Sequence, residues 1–380
     1  MPEFIGELNE SEVLSGIFNM IIGQRLITDR ISAKNALVDL AKEEGSLYGD
    51  QILFYSGDVL FPTDWLGDAE APNLLDISRP DSPEVQAIQM NVFKMVTTTV
   101  DYYLSKRAFM DERIFSDWTA YVVDQLGKTQ RIYDKTTYNA FIGNVLGTGN
   151  AQNPTVAIAA AATYQTRVEL VANALSNLIF DITDTTRSYN EYGQMTDFDE
   201  SQLIVVWNSK YVSEFNKLGT PEIFNREGLV DKFAKHVIHK RFFGREVVES
   251  SDVGSGKIIG TTGAYDSTKG ALRVNTAKSI TVGGTLYELF AGDQVPNGAV
   301  INITGVTAGV LDLDEVYIED DKVICKIFVK LPPFMSGLEI QSSFMNARSA
   351  TENTYLIWGH NTLEQLYAYP CITLKETLAS

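Results

Sequence analysis

The segment Phe141–Gly149 reads FIGNVLGTG, and Pro154 follows it. Upstream, apolar side chains recur mostly at spacings of three and four residues, at Ile114, Trp118, Tyr121, Val122 and Leu126. That spacing, without a proline from 107 to 146, predicts a long amphipathic helix in which Gly127 is a potential interruption. Glycines and a following proline end one helix and can open another, so the helix is expected to end at 147–149.

Downstream, a second helix is predicted over 164–182. Its apolar residues again alternate at spacings of three and four, at Val168, Val171, Leu175, Leu178 and Ile182. Thr166 and Glu169 have the spacing of a capping box. The continuous apolar run Leu203–Trp207 then predicts a strand buried on both faces, and a helical segment is expected over 211–218.

Upstream of the long helix, the sequence predicts an arm followed by a hairpin. Val13, Ile17, Met20 and Ile21 share one face of a short helix, and polar irregular sequence follows to Lys42. Apolar strands at 52–55 and 59–61 precede a proline-rich loop over 62–83, and residues 90–103 alternate like a strand. The strands at 51–61 and 90–103 are expected to form a projecting hairpin. Because an isolated hairpin is marginally stable, we expect it to lie on a neighbouring subunit.

Between about residues 250 and 341 the composition shifts to glycine, threonine and valine, with short alternating runs that predict a small β-rich insertion. Within it, Val316–Ile318 and Val323–Val329 flank the polar residues 319–322, which predicts a hairpin with a charged tip. A last strand, Tyr355–Trp358, is expected to return to the first domain.

Composition excludes several classes of protein. The 380 residues are 44% hydrophobic, which is enough for a large core, and 49 acidic against 31 basic residues give a net charge of -18. Such a charge disfavours attraction to nucleic acid or anionic membranes. The acidic start and the lack of a long apolar run predict a soluble protein made in a cytosol. Cys325 and Cys371 are far apart and predict buried thiols rather than a disulfide.

The motifs that suggest catalysis or ligand binding are incomplete. Gly254–Lys257 resembles a phosphate loop, but Ser251 stands where the loop needs its first glycine, and Ile258 stands where it needs a hydroxyl residue. His236 and His239 are expected to share a face of a basic helix, where nearby cations would repel a metal. The sequence therefore predicts no catalytic residue, no cofactor site and no metal site.

Two charged regions are better explained without a ligand. The acids at 312–321 lack the order of an EF-hand loop, which favours a charged turn over a calcium site. The basic residues at 232–245 and the acidic residues at 181–200 are expected to be solvated, or alternatively to meet between subunits and steer assembly. A serine or cysteine protease site has little support, since no Gly-x-Ser-x-Gly motif occurs and the histidines number three.

Taken in order, these segments resemble the major capsid proteins of tailed bacteriophages, which have the Hong Kong 97-type fold. The similarity is best at 141–149 with Pro154, through the helix at 164–182, to Leu203–Asn208 and Tyr211. The resemblance covers about 1–248 and 345–380 and implies an α+β fold. The implied regions are an N-terminal arm (1–50), an extended hairpin loop (51–106), a spine helix and peripheral domain (107–163), an axial domain (164–248), the β-rich insertion (249–344) and a return to the first domains (345–380).

The resemblance implies a structural protein, not an enzyme, that assembles with copies of itself into hexamers and pentamers of an icosahedral shell. The implied partners are scaffolding, portal and decoration proteins and enclosed DNA that is bound without sequence specificity, with no membrane. The implied location is the virion, after assembly in the host cytoplasm. Cross-linking between subunits, known in some relatives, is not expected, because Lys94 is the one lysine between Gln51 and Tyr103.

Three alternatives remain open from the sequence. An encapsulin-like shell would share the fold and enclose a protein cargo. A metal- or nucleotide-dependent enzyme would use His236, His239 or Lys257. A tail or baseplate protein is the third, and the long helix fits it poorly.

Overall fold

The computed structural model describes residues 37–45, 50–62, 64, 77, 79–101, 112–144, 154–161, 163–215, 234–246, 258–259, 271–302 and 311–377. Residues 1–36 of the predicted arm and most of the proline-rich loop lie outside these residues, as do 145–149 and Lys257.

The fold is α+β, as the sequence predicts. The helices are α1 (Leu37–Ala41), α2 (Glu112–Asn144), α3 (Tyr164–Thr183) and α4 (Ser209–Phe215), with 3₁₀ turns at Glu200–Gln202, Lys240–Phe242 and Leu313–Glu315. The strands are β1 (Lys42–Glu44), β2 (Gln51–Ser56), β3 (Glu84–Asp101), β4 (Val156–Ile158), β5 (Ile204–Asn208), β6 (Ala234–Ile238), β7 (Gly244–Glu246), β8 (Ile258–Ile259), β9 (Leu272–Val274), β10 (Lys278–Val282), β11 (Thr285–Leu289), β12 (Ala299–Asn302), β13 (Leu311–Asp312), β14 (Val316–Glu319), β15 (Val323–Phe328), β16 (Phe334–Asn346), β17 (Thr351–Asn361) and β18 (Cys371–Glu376).

The long helix α2 lies along a ribbon formed by the longest strands. The sheet has the order β1-β16-β17-β3-β2, and its middle strands β16, β17 and β3 are antiparallel. Leu126 and Tyr133 on α2 pack against Leu356 and Trp358 on β17. This contact explains why the helix has an apolar stripe, since that stripe covers one face of the ribbon.

A second sheet, β4-β18-β15-β5-β6, carries the other large core. Helix α3 covers one face with residues that include Val171, Leu175 and Leu178. The opposite face contributes Val206 and Phe328 to a core shared with the end of α2. Strand β15, in the middle of the sheet, is therefore buried on both faces, as is most of β5.

The insertion consists of short strands around a core of its own. Strands β8, β12 and β13 form one sheet, β7, β14 and β9 another, and β10 pairs with β11. Buried residues in this region include Leu272, Val274, Ile301 and Ile318. The predicted β-rich region is thus present, but β15 and the long β16, which the sequence analysis assigned to it, pair within the two five-stranded sheets.

The two longest predicted helices are confirmed, with one corrected cap. Helix α2 falls inside the predicted 107–146, and α3 matches the predicted 164–182. The cap of α3 is Thr163, whose side chain accepts a hydrogen bond from the Thr166 backbone N–H, so the predicted capping box at Thr166 and Glu169 is wrong. The box spacing misplaced the start because Thr163 offers the same chemistry three residues earlier.

The predicted hairpins need correction. Strand β3 pairs with β2 over 84–89 alone, and its remaining residues pair with β17. The β2 ladder ends where the Met90 N–H donates to the Asp50 carbonyl, because β2 is six residues long whereas β3 has eighteen. Strands β14 and β15 do not pair with each other either. They enter different sheets, since β15 is held between β5 and β18.

Candidate assembly surface

The chain that leaves β2 is fixed to the loop that follows α3. Ser56 Oγ donates to Gln194 Oε1, and Arg187 forms an ion pair with Asp58. Asp58 Oδ1 also accepts from the Met195 backbone N–H at 3.0 Å. This backbone hydrogen bond and Arg187 lower the pKa of Asp58. The start of the extended loop therefore has a defined direction, although it lies at the surface.

Directly after this anchor, the loop presents apolar side chains to solvent. Val59, Leu60 and Phe61 are 55%, 71% and 90% exposed, and Ile77, across the loop, is 78% exposed. We call residues 59–61 the loop strip. Covering an apolar side chain of this size contributes about 1.5–3 kcal/mol, so the strip is a source of binding free energy that the described residues leave unused.

The ribbon has a second exposed apolar surface on the face opposite α2. The strand register places Met95, Ile357 and Ile340 in one row across β3, β17 and β16. Met95 and Ile340 are 61% and 45% exposed, and Phe344, further along β16, is 63% exposed. Together with the loop strip, this face gives the chain two apolar surfaces that its own described residues do not cover.

A buried histidine joins α2 to the ribbon. His360 Nδ1 donates to the Asn361 carbonyl at 2.7 Å, so Nε2 is the acceptor for the Tyr133 hydroxyl at 2.9 Å. The ring also stacks on Phe334, with centroids 5.3 Å apart. Burial lowers the pKa of His360 to about 4. The neutral imidazole uses both ring nitrogens in hydrogen bonds within the fold, so His360 has a structural role.

We expect protonation of His360 to destabilise the fold. Its folded-state pKa lies below the ordinary 6.5, so its stabilising contribution is present above pH 6.5 and is lost as the pH falls toward 4. The shift corresponds to about 3 kcal/mol. In thermal melts, the wild-type chain should lose more stability between pH 7 and pH 4 than His360→Gln does. Parallel pH profiles for the two proteins would contradict this assignment.

The sequence-predicted histidine pair is not on a helix. His236 lies in β6, and His239 follows the strand and caps a 3₁₀ turn, where its Nδ1 accepts from the Arg241 N–H at 3.2 Å. The predicted basic helix is therefore wrong. Residues 234–238 instead form strand β6, which pairs with β5 and extends the second sheet. Among the residues that the structure describes, no group of three or more His, Cys, Asp or Glu could hold a metal ion.

Most of the acids at 312–321 are used in ion pairs rather than gathered around a cation site. Lys278 pairs with Glu315, and Arg273 pairs with Glu319 at 2.7 Å. Lys375 pairs with Asp320 and Lys210 with Asp321, which ties the turn after β14 to the second sheet. The geometry supports the charged-turn interpretation over calcium binding.

Two of the basic residues at 232–245 find partners in the insertion. Lys240 lies 3.8 Å from Glu319, and Arg241 lies 3.5 Å from Asp293. These partners belong to the same chain and not to the acidic stretch at 181–200. Pairing of the two stretches between subunits stays a prediction.

Lys94 and the cysteines can now be placed. Lys94 stands over the Tyr133 ring, 5.8 Å from its centroid, and so lies in the ribbon instead of at a loop tip. Cys325 and Cys371 are buried and form no disulfide, as predicted, and burial raises the pKa of Cys371 to about 11. No helix in the described part of the chain is long and apolar enough to cross a bilayer.

Sequence reasoning missed two buried charged groups. Lys326 is fully buried in the middle of β15, and burial lowers its pKa to about 8. A single lysine inside the apolar run 323–329 was the available signal. Asp134 on α2 is 6% exposed, and its Oδ1 accepts no hydrogen bond from the described residues. Nothing in the helical pattern distinguished Asp134 from a solvent-facing residue.

Comparison with solved structures shows the fold. A chain of the capsid structure of Staphylococcus phage Andhra matches with a TM-score of 0.60 and 14% identity, over 93% of this chain and 87% of that one. A chain from the structure of the head fiber and inner core protein gp22 of native bacteriophage P68 matches with a TM-score of 0.53 and 14% identity, over 88% and 83%. No protein-family model and no curated protein matches the sequence.

Proposed function

We propose that this chain is a major capsid protein of a tailed bacteriophage, which assembles with copies of itself into the icosahedral head that encloses the viral DNA. The observation that carries the proposal is the fold, shared over 93% of the chain with a chain of a phage capsid structure. At this level of identity the likeness concerns the fold, so the functional argument rests on the surfaces described above.

The exposed surfaces support self-association. The loop strip projects from an anchored base, and the outer face of the ribbon offers apolar area of similar character. Large exposed apolar patches on a protein usually mark an interaction site. A loop of one copy that covers a different surface of the next copy makes a heterologous contact, and such contacts close into rings. Hexamers and pentamers are the rings that this proposal requires.

In this proposal the regions have distinct tasks. The arm (1–50) and the extended loop (51–106) tie subunits together, and α2 with the ribbon forms the peripheral domain. The second sheet and α3 form the axial domain around the ring axis. Scaffolding, portal and decoration proteins are the further partners, and the virion, after assembly in the host cytoplasm, is the location. Because the chain carries a net charge of -18, DNA is confined by pressure and counterions more than by attraction to the wall.

Electron microscopy of the purified chain over a range of concentrations tests the proposal. Uniform polyhedra or rings of five and six subunits are expected, and a monomer under every condition would refute it. Mass spectrometry and nucleic-acid staining of particles from infected cells separate a DNA-filled head from an encapsulin-like shell with a protein cargo. The phage origin of the two structural neighbours favours the head.

We expect a charge in the loop strip to block assembly without unfolding the chain. Leu60→Asp and Phe61→Asp change side chains that are 71% and 90% exposed, so thermal stability should stay within about 0.5 kcal/mol of wild type. Particle yield should fall by at least tenfold, because each carboxylate must be desolvated in the covered contact, which costs at least about 1.4 kcal/mol. Ser82→Asp is the control, since it adds the same charge on the same loop without removing an apolar side chain. Normal particles from both variants would exclude the strip from the contact.

A further inference from the structure

Strand β16 has an edge that no described strand covers over most of its length. Strand β17 pairs along one side of β16, but on the other side β1 pairs with residues 334–336 alone. A hydrogen bond from the Gly45 N–H to the Ser336 carbonyl ends that short ladder. Among the described strands, none pairs with residues 338–346 on this side. Their outward backbone groups are thus available to another strand.

This edge lacks the features with which proteins usually protect a free strand. Charged residues and proline are common protections, yet 340–347 reads IQSSFMNA. A bulge near 338–339 interrupts the ladder at one end of the free edge, and the strand is regular from Ile340 to Asn346. Ile340 and Phe344 are also 45% and 63% exposed. Apart from Glu339 and the bulge beside it, the free stretch is uncharged and regular, and residues 340–346 are exposed, which suits β-sheet extension by a partner strand.

From this edge we infer that β16 pairs antiparallel with β16 of a second copy, about a two-fold axis that passes beside Ser342. The inference rests on the proposed self-assembly and names one of its contacts. The ends of the free edge set the register. Pairing cannot extend past residue 337, where Gly45 occupies the edge, or past residue 346, where the strand turns. The free stretch 338–346 is centred on Ser342, so a two-fold pair of full length places Ser342 opposite Ser342.

The side chains agree with this register. About a two-fold axis normal to the sheet, two residues that lie opposite each other share a face only when their residue numbers differ by an even number. With Ser342 opposite Ser342, every pair meets this condition. Ile340 of one copy lies opposite Phe344 of the other, so the exposed apolar row continues across the junction. A centre at residue 343 would instead oppose Ile340 with Asn346 and Ser342 with Phe344. The register at Ser342 is therefore the one that matches apolar with apolar.

Charges at the two ends are complementary as well. In this register the end of one β16 meets the end of β1 of the other copy. Exposed Arg348 in the turn after β16 then lies beside exposed Glu43 and Glu44 of the second copy, and the two-fold axis repeats the arrangement. Opposite charges at both ends favour this orientation, and no like charges meet along the paired stretch. A nine-residue edge is far smaller than a stable interface of about 800 Å² per partner, so it acts together with other shell contacts.

Cysteine cross-linking of the full-length chain tests the register. In Ser342→Cys particles treated with a mild oxidant, we expect a disulfide-linked dimer that reduction removes, because directly opposite residues lie within disulfide reach. In Ser343→Cys the two cysteines stand on a diagonal about 7–8 Å apart, which is too far for efficient bridging. The native cysteines are buried and add little background. Phe344→Lys in the Ser342→Cys background should lose the dimer while its melting curve stays unchanged.

The outcomes separate this inference from the proposed function. If particles form and Ser342→Cys gives no dimer, or no more than Ser343→Cys, the two-fold pairing is refuted and self-assembly stands. The same result is expected if β16 instead pairs with the opposite ribbon edge, on β3, of the next copy. If no particles or rings form from the wild-type chain, the self-assembly proposal fails and this pairing fails with it.

Discussion

Gly143→Ala is expected to destabilise the chain by about 3 kcal/mol or more and to reduce particle yield in proportion. A Cβ at this buried position would lie 2.0 Å from the Phe242 carbonyl oxygen and 2.5 Å from its carbon. These are backbone atoms, which cannot rotate away as a side chain can. Either the end of α2 or the 3₁₀ turn at Lys240–Phe242 must move, and both belong to the core between the two sheets. Thermal and urea unfolding measure the loss.

The same substitution elsewhere in α2 should have the opposite sign. At Gly127 the nearest atom to a Cβ is Arg131 NH2 at 4.0 Å, so alanine meets open space. Alanine is the better helix former by about 1 kcal/mol, and Gly127→Ala should therefore stabilise the chain slightly. Equal effects at the two glycines would show that the crossing at Phe242 is looser than the structure indicates.

Helices α2 and α3 were predictable from the sequence because the residues that they bury recur at a local spacing. The apolar stripes of α2 and α3 each face one continuous surface, so spacings of three and four residues report the burial directly. The buried strand β5 was found for a similar reason, since a run of five apolar residues fits a strand covered on both sides.

Strand partners were not predictable in the same way. Alternation along β3 shows that it is a strand, but it does not say that β17, about 250 residues away, is the partner over most of its length. Residues near in sequence were assumed to pair, which gave the wrong partner for β3 and also joined β14 to β15. Strand β16 was hidden because its polar residues at 341–343 and 346 resemble the surrounding insertion in composition.

The candidate assembly surface was only partly predictable from the sequence. Proline content and the lone-hairpin argument predict an extended loop, whereas the anchor at Asp58 depends on Arg187 and Met195, which are distant in sequence. The buried polar groups Asp134 and His360 give no local signal, and Lys326 gives only its place inside an apolar run. Their character comes from desolvation by residues that the fold brings together.

Asp134→Asn is expected to stabilise the chain at pH 8 and to have a much smaller effect at pH 5. Burial raises the pKa of Asp134 to about 7, with further increases from Glu339 and Asp39 and an opposing effect of Lys42. Because the folded-state pKa exceeds the ordinary 3.8, the buried carboxylate costs stability above pH 7, and the cost disappears as the pH falls toward 4. The shift corresponds to about 4 kcal/mol. The gain from Asp134→Asn is at most this large, because asparagine removes the charge but keeps a buried polar group.

Unfolding free energies of wild type and variant at pH 5, 6.5 and 8 measure this difference, and the gain should grow through that range. Asp124→Asn is the matched control, because it removes an exposed carboxylate from the same helix and should change stability by less than about 0.5 kcal/mol at each pH. A gain for Asp134→Asn that is equal at pH 5 and pH 8 would mean that the carboxyl is ionised throughout and finds a partner in the folded chain. A gain confined to high pH would show that the Asp134 carboxyl group on α2 is protonated in the folded chain at neutral pH and below.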